Sequence, residues 1–287
     1  MKPIIFTDAS CDLPLDFIEK NEVYHLGLTF TYKDGEYEDD FGKTISYKEF
    51  YDGLRNGEMP CTSQINQFKF IEMFKELLKL KRPIIYIGMS SGLSGTFNSA
   101  ESARNTVLTE NPDADITVID TKCASLGQGL LVAQAVYMRD KGFSSLEIIH
   151  WINENMKLMN HWFAVEDLNH LKRGGRISST TAVVGSLLDI KPIIYLTAEG
   201  TLKNITNSRG KKKALRLLAD RYKENAADFQ NPVGISHGDC LEDAEHLKDI
   251  LIHECGVKEF IINELGAGLG SHCGQGLVAV CFIGKSR

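Results

Sequence analysis

Short runs of β-branched and other apolar residues alternate along the chain with longer segments whose apolar residues recur at helical spacing. The clearest run covers residues 83–88, and it passes through a loop of serines and glycines at 89–96 into a helical segment at 97–103. The same order of strand, polar loop and helix begins at residues 3–6, 115–120 and 232–237. Since parallel strands require long crossover connections, this alternation predicts an α/β fold with mainly parallel sheets.

Local patterns predict several elements between these units. Apolar and polar residues alternate over residues 23–32 well enough to predict one strand. Asp12 precedes a helical segment and is predicted to be its N-cap residue. The acidic run at residues 38–40 is predicted to be a solvated loop rather than a metal site. The glycine-rich segment 266–276 is predicted to be a loop that leads into a last strand at 277–282.

With 287 residues, the chain is long enough for one large domain or two ordinary domains. A new strand pattern starts at residues 161–165, after two helical segments. We therefore predict an N-terminal α/β domain over residues 1–158 and a C-terminal α/β domain over residues 159–287.

Composition and charge narrow the range of functions. Apolar residues make up 43% and charged residues 24%, as in ordinary globular proteins. The net charge of -6 argues against a nucleic-acid partner, because phosphates would be repelled. The seven cysteines include no Cys-x-x-Cys pair, which favours reduced thiols and a cytoplasmic location. No leader pattern opens the chain and no apolar run approaches roughly 18 residues, so we expect no stable membrane insertion.

Two hydroxyl-rich segments are candidates for binding an anion. The loop at residues 89–96 follows a predicted parallel strand, where open α/β sheets bind ligands with backbone N–H groups and hydroxyls. Such donors suit a phosphate or a carboxylate. Thr62 and Ser63 precede a helical segment at 65–80, so they are predicted either to cap that helix or to add hydroxyls to an anion site.

Cationic residues and one histidine extend this hypothesis. Arg173 and Arg176 flank two glycines, and their guanidinium groups could meet a carboxylate or phosphate or lie solvated at a helix end. The basic run that starts at Arg209 opens a helix, which is unfavourable for the helix dipole. This run is either a solvated face or a contact for an acidic or phosphorylated partner. His272 lies among five glycines, which would allow close approach to a ligand.

Taken together, these segments resemble the DegV family. Five motifs occur along the whole chain in the order found in that family: Thr-Asp-Ala-Ser-Cys-Asp-Leu-Pro at 7–14, Thr-Ser-Gln at 62–64, Ser-Ser-Gly-Leu-Ser-Gly-Thr at 90–96, Leu-Lys-Arg-Gly-Gly-Arg-Ile-Ser at 171–178 and Gly-Ser-His-Cys-Gly-Gln-Gly at 270–276. The chain departs from the usual family pattern at Ala9, at Ile65 in place of proline and at Gln275 in place of proline.

The resemblance implies a carrier rather than an enzyme, with a tunnel for one long-chain fatty acid between two α/β domains. The N-terminal domain would carry the carboxylate-binding loops, and the C-terminal domain would cover the acyl chain. The resemblance also implies a partner, a fatty acid kinase that phosphorylates the bound fatty acid for phospholipid synthesis. It implies no cofactor and no metal.

The family motifs also imply roles for individual residues. Thr62 and Ser94 would bind the carboxylate, and Arg176 and His272 would lie near the headgroup and engage the kinase. Neighbouring motif residues that would complete the fatty-acid site are Ser63, Ser91, Gly92 and Gly95. From the basic run, Arg209 is added as a candidate for kinase engagement.

The alternative interpretation is a serine esterase. Residues 88–92 match Gly-x-Ser-x-Gly after a strand, and Ser90, Asp120 and His237 follow in the chain order of α/β-hydrolases. Against it, Gly92 and Gly95 delay the helix that should begin directly after the nucleophile. A nucleotide site rests on the glycine-rich loops alone, without a P-loop motif, and no spacing typical of metal ligands occurs.

Overall fold

The structure, a computed structural model, describes residues 1–166, 168–177 and 189–287. The elements before residue 159 are β1 (Ile4–Asp8), α1 (Leu15–Lys20), β2 (Tyr24–Leu26), β3 (Thr29–Tyr32), β4 (Gly35–Glu38), α2 (Tyr47–Arg55), β5 (Thr62–Ser63), α3 (Gln67–Leu78), β6 (Ile84–Gly88), α4 (Thr96–Glu110), β7 (Ile116–Asp120), α5 (Ser125–Asp140) and α6 (Ser145–Asn155). The later elements are β8 (Met159–Ala164), α7 (Asn169–Arg173), β9 (Ile190–Leu196), β10 (Leu202–Arg209), α8 (Lys211–Asn225), β11 (Val233–His237), α9 (Leu241–Cys255), β12 (Phe260–Glu264), α10 (Ala267–Cys273) and β13 (Val278–Ile283).

The first sheet has four parallel strands in the order β2-β1-β6-β7. Every residue of β1 and β6 is buried, because helices cover both faces. Ile5 and Ile87 pack in one hydrophobic cluster with α5 and α6, while Phe6 and Tyr86 pack in another with α3 and α4. This arrangement confirms the predicted α/β class.

Residues 23–32 form two strands in different sheets, not one strand as predicted. β2 joins the first sheet, whereas β3 pairs with β4 and β5 in a small antiparallel sheet. The break falls at Gly27, where a Cβ atom would lie 2.2 Å from the carbonyl oxygen of Asp39. Close backbone approach at this glycine therefore separates the two strands.

The second sheet has six strands in the order β10-β9-β8-β13-β11-β12. Four of its five strand pairs are antiparallel, and only β11 and β12 are parallel. The prediction of mainly parallel sheets thus holds for the first sheet and not for the second. The difference arises because β9 and β10 form a hairpin, and because the last strand, β13, inserts between β8 and β11.

Helix α5 lies between the two sheets. Leu126 and Leu131 are fully buried, and they share one hydrophobic cluster with Ile5 of the first sheet and Cys281 of the second. At Gly129 a Cβ atom would lie 2.5 Å from the carbonyl oxygen of Cys11, so the helix packs directly on the backbone after β1. This hydrophobic cluster contains residues from both sides of the predicted boundary after residue 158. The division of the chain into two domains therefore stays a prediction.

Three shorter segments also differ from the predictions. Asp12 is not an N-cap, since its backbone is left-handed (φ 49°) and α1 begins after Pro14. Thr62 and Ser63 do not cap α3, whose N-cap is Asn66. The glycine-rich segment forms helix α10 rather than a loop throughout.

No helix within the described ranges is both long enough and apolar enough to cross a lipid bilayer.

Candidate ligand-binding site

A largely apolar cavity lies between the loop after β6, helix α10 and the inner face of the second sheet. About 790 Å³ of space not occupied by protein atoms lies in this cavity and its open mouth. The sheet contributes a continuous apolar wall from four neighbouring strands and the residue before β13: Phe163, Leu196, Leu202, Leu277 and Ala279. Leu93 and Leu269 extend this wall from the loop and from α10.

The cavity adjoins the point where the strand order of the first sheet reverses, between β1 and β6. Ligands of open α/β sheets bind at such a point. Asp8, at the end of β1, accepts hydrogen bonds from the Tyr86 hydroxyl (2.7 Å) and from the Met89 backbone N–H (3.1 Å). Burial raises the pKa of Asp8, although these hydrogen bonds oppose the shift. The carboxyl group thereby fixes the start of the loop that carries Met89, Leu93 and Ser94 into the cavity.

Thr62 and His272 meet at the polar end of the cavity. Thr62 Oγ1 lies 2.7 Å from His272 Nε2, and both residues line the cavity. Burial lowers the pKa of His272 to about 4, and the nearby positive charge of Arg176 adds to the shift. The imidazole is therefore neutral at physiological pH. Gly174 packs against the other ring nitrogen, since a Cβ atom there would lie 2.1 Å from His272 Nδ1.

Ser94 presents a hydroxyl from the loop after β6. The serine is 8% exposed, and its Oγ accepts a hydrogen bond from the Thr96 backbone N–H at 3.2 Å. The same oxygen lies 2.9 Å from Thr96 Oγ1. The loop folds back on itself, because the Ser94 backbone N–H donates to the Ser90 carbonyl oxygen at 3.2 Å. These contacts fix the position of the Ser94 side chain in the cavity wall.

Arg176 brings a positive charge to the same end of the cavity. Its Nε donates to the carbonyl oxygen of Leu93 at 3.1 Å, next to Ser94, and its Nη1 donates to the carbonyl oxygen of Gly174. The side chain is half-buried, and burial lowers the pKa of its guanidinium. Thr62, Ser94, Arg176 and His272, here called the polar cluster, thus line one cavity, although they derive from four separate segments.

Other predicted site residues lie outside the cavity lining. Ser63 is exposed in β5, and Arg209 is exposed at the end of β10. Ser91 accepts a hydrogen bond from Lys122 Nζ at 2.6 Å, so its hydroxyl is engaged away from the polar cluster.

Two predicted glycines have packing roles instead. A Cβ atom at Gly92 would lie 2.5 Å from the carbonyl oxygen of Gly200, and one at Gly95 would lie 2.0 Å from Gln64 Oε1. Gln64 is itself exposed and lines the cavity. Gly92 and Gly95 therefore let the loop after β6 approach its neighbours closely.

The esterase alternative lacks a hydrogen-bonded triad in the described part of the chain. Ser90 Oγ donates to the Gly200 carbonyl oxygen at 2.8 Å, and His237 Nδ1 accepts from the Cys240 backbone N–H at 3.3 Å. Asp120 pairs with Lys122 at 2.7 Å. Burial raises the pKa of Asp120, but hydrogen bonds from Lys122 and Ser91 outweigh it and hold the pKa below its ordinary value. Each group of the supposed triad thus has another partner.

Two features of the site were not predicted. The apolar wall was missed, because Phe163 and Ala279 alternate with residues such as Val278 and Val280 that are equally apolar and are buried on the opposite face of the sheet. Asp39 was assigned to a solvated loop, but it is only 3% exposed and accepts a hydrogen bond from the Gly268 backbone N–H at 2.8 Å. No sequence signal separates Asp39 from its acidic neighbours.

Within the described ranges, no group of histidine, cysteine and acidic residues could hold a metal ion.

Comparisons with known proteins find similarity along almost the whole chain. A family model described as "Uncharacterised protein, DegV family" matches residues 2–285. A DegV domain-containing protein of Clostridium perfringens is 43% identical over 287 residues, which cover 100% of this chain and 99% of the relative. A solved structure from Thermotoga maritima, described as a DegV lipid binding protein, has 27% identity and a TM-score of 0.86, with 100% of both chains covered. A structure described as fatty acid binding of a DegV family protein from Thermus thermophilus has 30% identity and a TM-score of 0.85, covering 98% of this chain and 99% of that chain.

The low pKa of His272 predicts a specific pH dependence of stability in the ligand-free protein. The folded form holds fewer protons on His272 than the unfolded form between about pH 4 and 6.5, so the free energy of unfolding rises with pH in this window. The expected contribution is up to about 1.4 kcal/mol per pH unit. Urea unfolding of the wild type and of His272→Gln from pH 4 to 7 measures it. The variant should have the shallower slope, and equal slopes would contradict the assignment.

Proposed function

The chain belongs to the DegV family, and on this premise we propose that it binds one long-chain fatty acid in the cavity, with the carboxylate at the polar cluster. One observation carries the proposal: a half-buried guanidinium and two hydroxyls meet at one end of a cavity whose wall is otherwise largely apolar. Burial disfavours the charge of Arg176, so an anion beside it would be stabilised. A ligand with an anionic head and a long apolar tail matches both parts of the cavity.

The hydrogen bonds of Ser94 favour a carboxylate as the head. Ser94 Oγ accepts from the Thr96 backbone N–H, and it accepts a second hydrogen bond when the Thr96 hydroxyl donates to it. The Thr96 hydroxyl in turn accepts from the Ile65 backbone N–H at 3.3 Å. With its acceptor positions occupied, the Ser94 hydroxyl has its proton left to donate to a ligand oxygen.

Thr62 can supply a second donor in the same way. With the proton on Nε2, the neutral His272 ring donates to Thr62 Oγ1, and the Thr62 hydroxyl donates to the carboxylate. Hydrogen bonds to a charged acceptor are stronger than those between neutral groups. Two hydroxyls and one guanidinium would thus offset the cost of removing the carboxylate from water.

The tail would supply most of the affinity. A chain of about 16 carbons gains roughly 0.8 kcal/mol for each methylene group that is buried. Even after the cost of ordering the ligand, this gain is sufficient for tight binding. The sheet residues Phe163, Leu196 and Leu202 offer the matching apolar surface. The related proteins of Thermotoga maritima and Thermus thermophilus, described as lipid-binding and fatty-acid-binding, support the same ligand class.

We further propose that the protein acts in the cytoplasm and presents its fatty acid to a fatty acid kinase, without catalysing a reaction itself. This role rests on the five family motifs. It is supported by the location of Arg176 and His272 beside the proposed headgroup, where they would also meet an acyl phosphate. Exposed Arg209 would contribute to kinase binding rather than to lipid binding.

Native mass spectrometry of the purified protein tests fatty acid binding directly. We expect a co-purified or added ligand of roughly 250–300 Da, as for a chain of about 16–18 carbons in a mostly apolar pocket. Thr62→Val and Ser94→Ala should each lower affinity about tenfold, because each removes one hydrogen bond to a charged group. Ser63→Ala, beside Thr62 but exposed, is the matched control and should bind as the wild type does. Wild-type protein that takes up no fatty acid would refute the proposal.

The kinase role makes a separate prediction. Arg209→Ala should leave fatty acid affinity unchanged, yet lower the rate at which a fatty acid kinase with ATP converts the bound ligand to acyl phosphate. The acyl phosphate is measured by trapping with hydroxylamine. Lys203→Ala, exposed on the same strand, is the control. An unchanged rate for Arg209→Ala would remove this residue from the proposed interface.

A further inference from the structure

Helix α10 forms one wall of the cavity and carries a member of the polar cluster. Gly268, Leu269, His272 and Cys273 of this helix line the cavity. The helix lies near the end of the sequence, at residues 267–273. The side chains that form hydrogen bonds with the backbone at its N-terminal end belong to Asp12, Asp39 and Tyr51. The position of His272 relative to Thr62 therefore depends on contacts between distant segments.

Two buried carboxyl groups hold the start of α10 through its backbone. Asp12 Oδ1 accepts a hydrogen bond from the Gly266 N–H at 2.9 Å, and Asp39 Oδ2 accepts one from the Gly268 N–H at 2.8 Å. Asp12 is 1% exposed and Asp39 is 3% exposed. Asp39 also accepts from the backbone of Phe41, which connects α10 to the loop after β4. Both carboxyl groups thus join α10 to the first part of the chain.

The glycines of this segment permit the contact. A Cβ atom at Gly266 would lie 2.7 Å from Asp39 Oδ2, and one at Gly268 would lie 3.0 Å from the same oxygen. One at Gly270 would lie 2.8 Å from the Tyr51 hydroxyl oxygen. Tyr51 in turn donates to the carbonyl oxygen of Leu265 at 2.8 Å, just before the helix. A side chain at Gly266 or Gly268 would push α10 away from Asp39, and one at Gly270 would push it away from Tyr51.

Burying these carboxyl groups is unfavourable in itself. Burial raises the pKa of Asp39 to about 6 and that of Asp12 well above its ordinary value, despite their hydrogen bonds to the helix. The Ser125 hydroxyl donates to Asp12 at 2.5 Å and offsets part of this cost. An apolar contact would hold a short helix with less penalty, but it would not fix the helix along its axis as two backbone hydrogen bonds do.

We propose that Asp12 and Asp39 are positioning residues of the headgroup site: by holding the start of α10, they place His272 against Thr62. The proposal rests on the proposed function only in that the headgroup is taken to be a fatty acid carboxylate. The two acids act through His272 and do not touch the ligand. Their loss loosens α10, lets water reach the imidazole and breaks the contact with Thr62.

The test measures the pKa of His272 by NMR titration of its ring nitrogens in ligand-free protein. The charged and titratable groups that face the ring are Arg173, Arg176 and His170, and none of them is altered. In Asp39→Ala, the pKa should rise from about 4 by at least one unit toward its ordinary value of 6.5. In Asp39→Asn the rise should be smaller, because the amide oxygen can still accept from the Gly268 N–H.

Asp40→Ala is the matched control. Asp40 also accepts backbone hydrogen bonds, from Lys43 and Thr44, but it does not contact α10. Its loss should reduce stability and leave the pKa of His272 at about 4. Added palmitic acid gives a second readout: its affinity should fall about tenfold in Asp39→Ala, about threefold in Asp39→Asn, and remain unchanged in Asp40→Ala.

The outcomes separate this inference from the proposed function. If folded Asp39→Ala keeps the wild-type pKa of His272, the two acids are structural only and the inference is overturned. If Asp39→Ala does not fold, the nearly isosteric Asp39→Asn and Asp12→Asn decide, and unchanged pKa values in both overturn it. If the wild type binds no palmitic acid, the proposed ligand is wrong, while the pKa shift still decides whether the acids position His272.

Discussion

One hydrogen bond, between Thr62 and His272, joins segments that are 210 residues apart and closes the polar end of the cavity. Thr62 lies in a two-residue strand at the edge of a small sheet, and His272 lies in a helix of seven residues. Neither element is long enough to be stable alone. Their positions are set by the surrounding packing, above all by the carboxyl groups that hold α10 and by the loops at the strand ends of the first sheet.

Burial and neighbouring cations set the electrostatics of the site around this contact. His272 is kept neutral by burial and by its cationic neighbours, so Arg176 supplies the positive charge of the polar cluster at physiological pH. In the proposed complex, the neutral hydroxyls and imidazole would orient the ligand, whereas the guanidinium would select for an anion. The apolar wall of the second sheet would favour an anion with a long tail. Under this proposal, the orientation of the ligand and its affinity depend on different parts of the cavity.

The sequence predicted what depends on local pattern. Three strands of the first sheet, β1, β6 and β7, are rich in β-branched apolar residues. Thr62, Ser94, Arg176 and His272 lie in glycine- and hydroxyl-rich segments that resemble one family. Features that depend on contacts between distant segments were missed. The antiparallel order of the second sheet follows from the insertion of β13, which no local pattern encodes. Helix α10 has three glycines or serines among seven residues, so its helical form depends on tertiary contacts rather than on propensity.

The most direct test is a ¹³C NMR titration of palmitic acid labelled at its carboxyl carbon and bound to the wild-type protein. If the carboxylate lies among Arg176, Thr62 and Ser94, its bound resonance should stay in the ionised position well below the ordinary pKa of a fatty acid, and Arg176→Ala should abolish this difference. A bound carboxyl group that titrates as it does in water would contradict the central claim, because the headgroup would then lie outside the polar cluster.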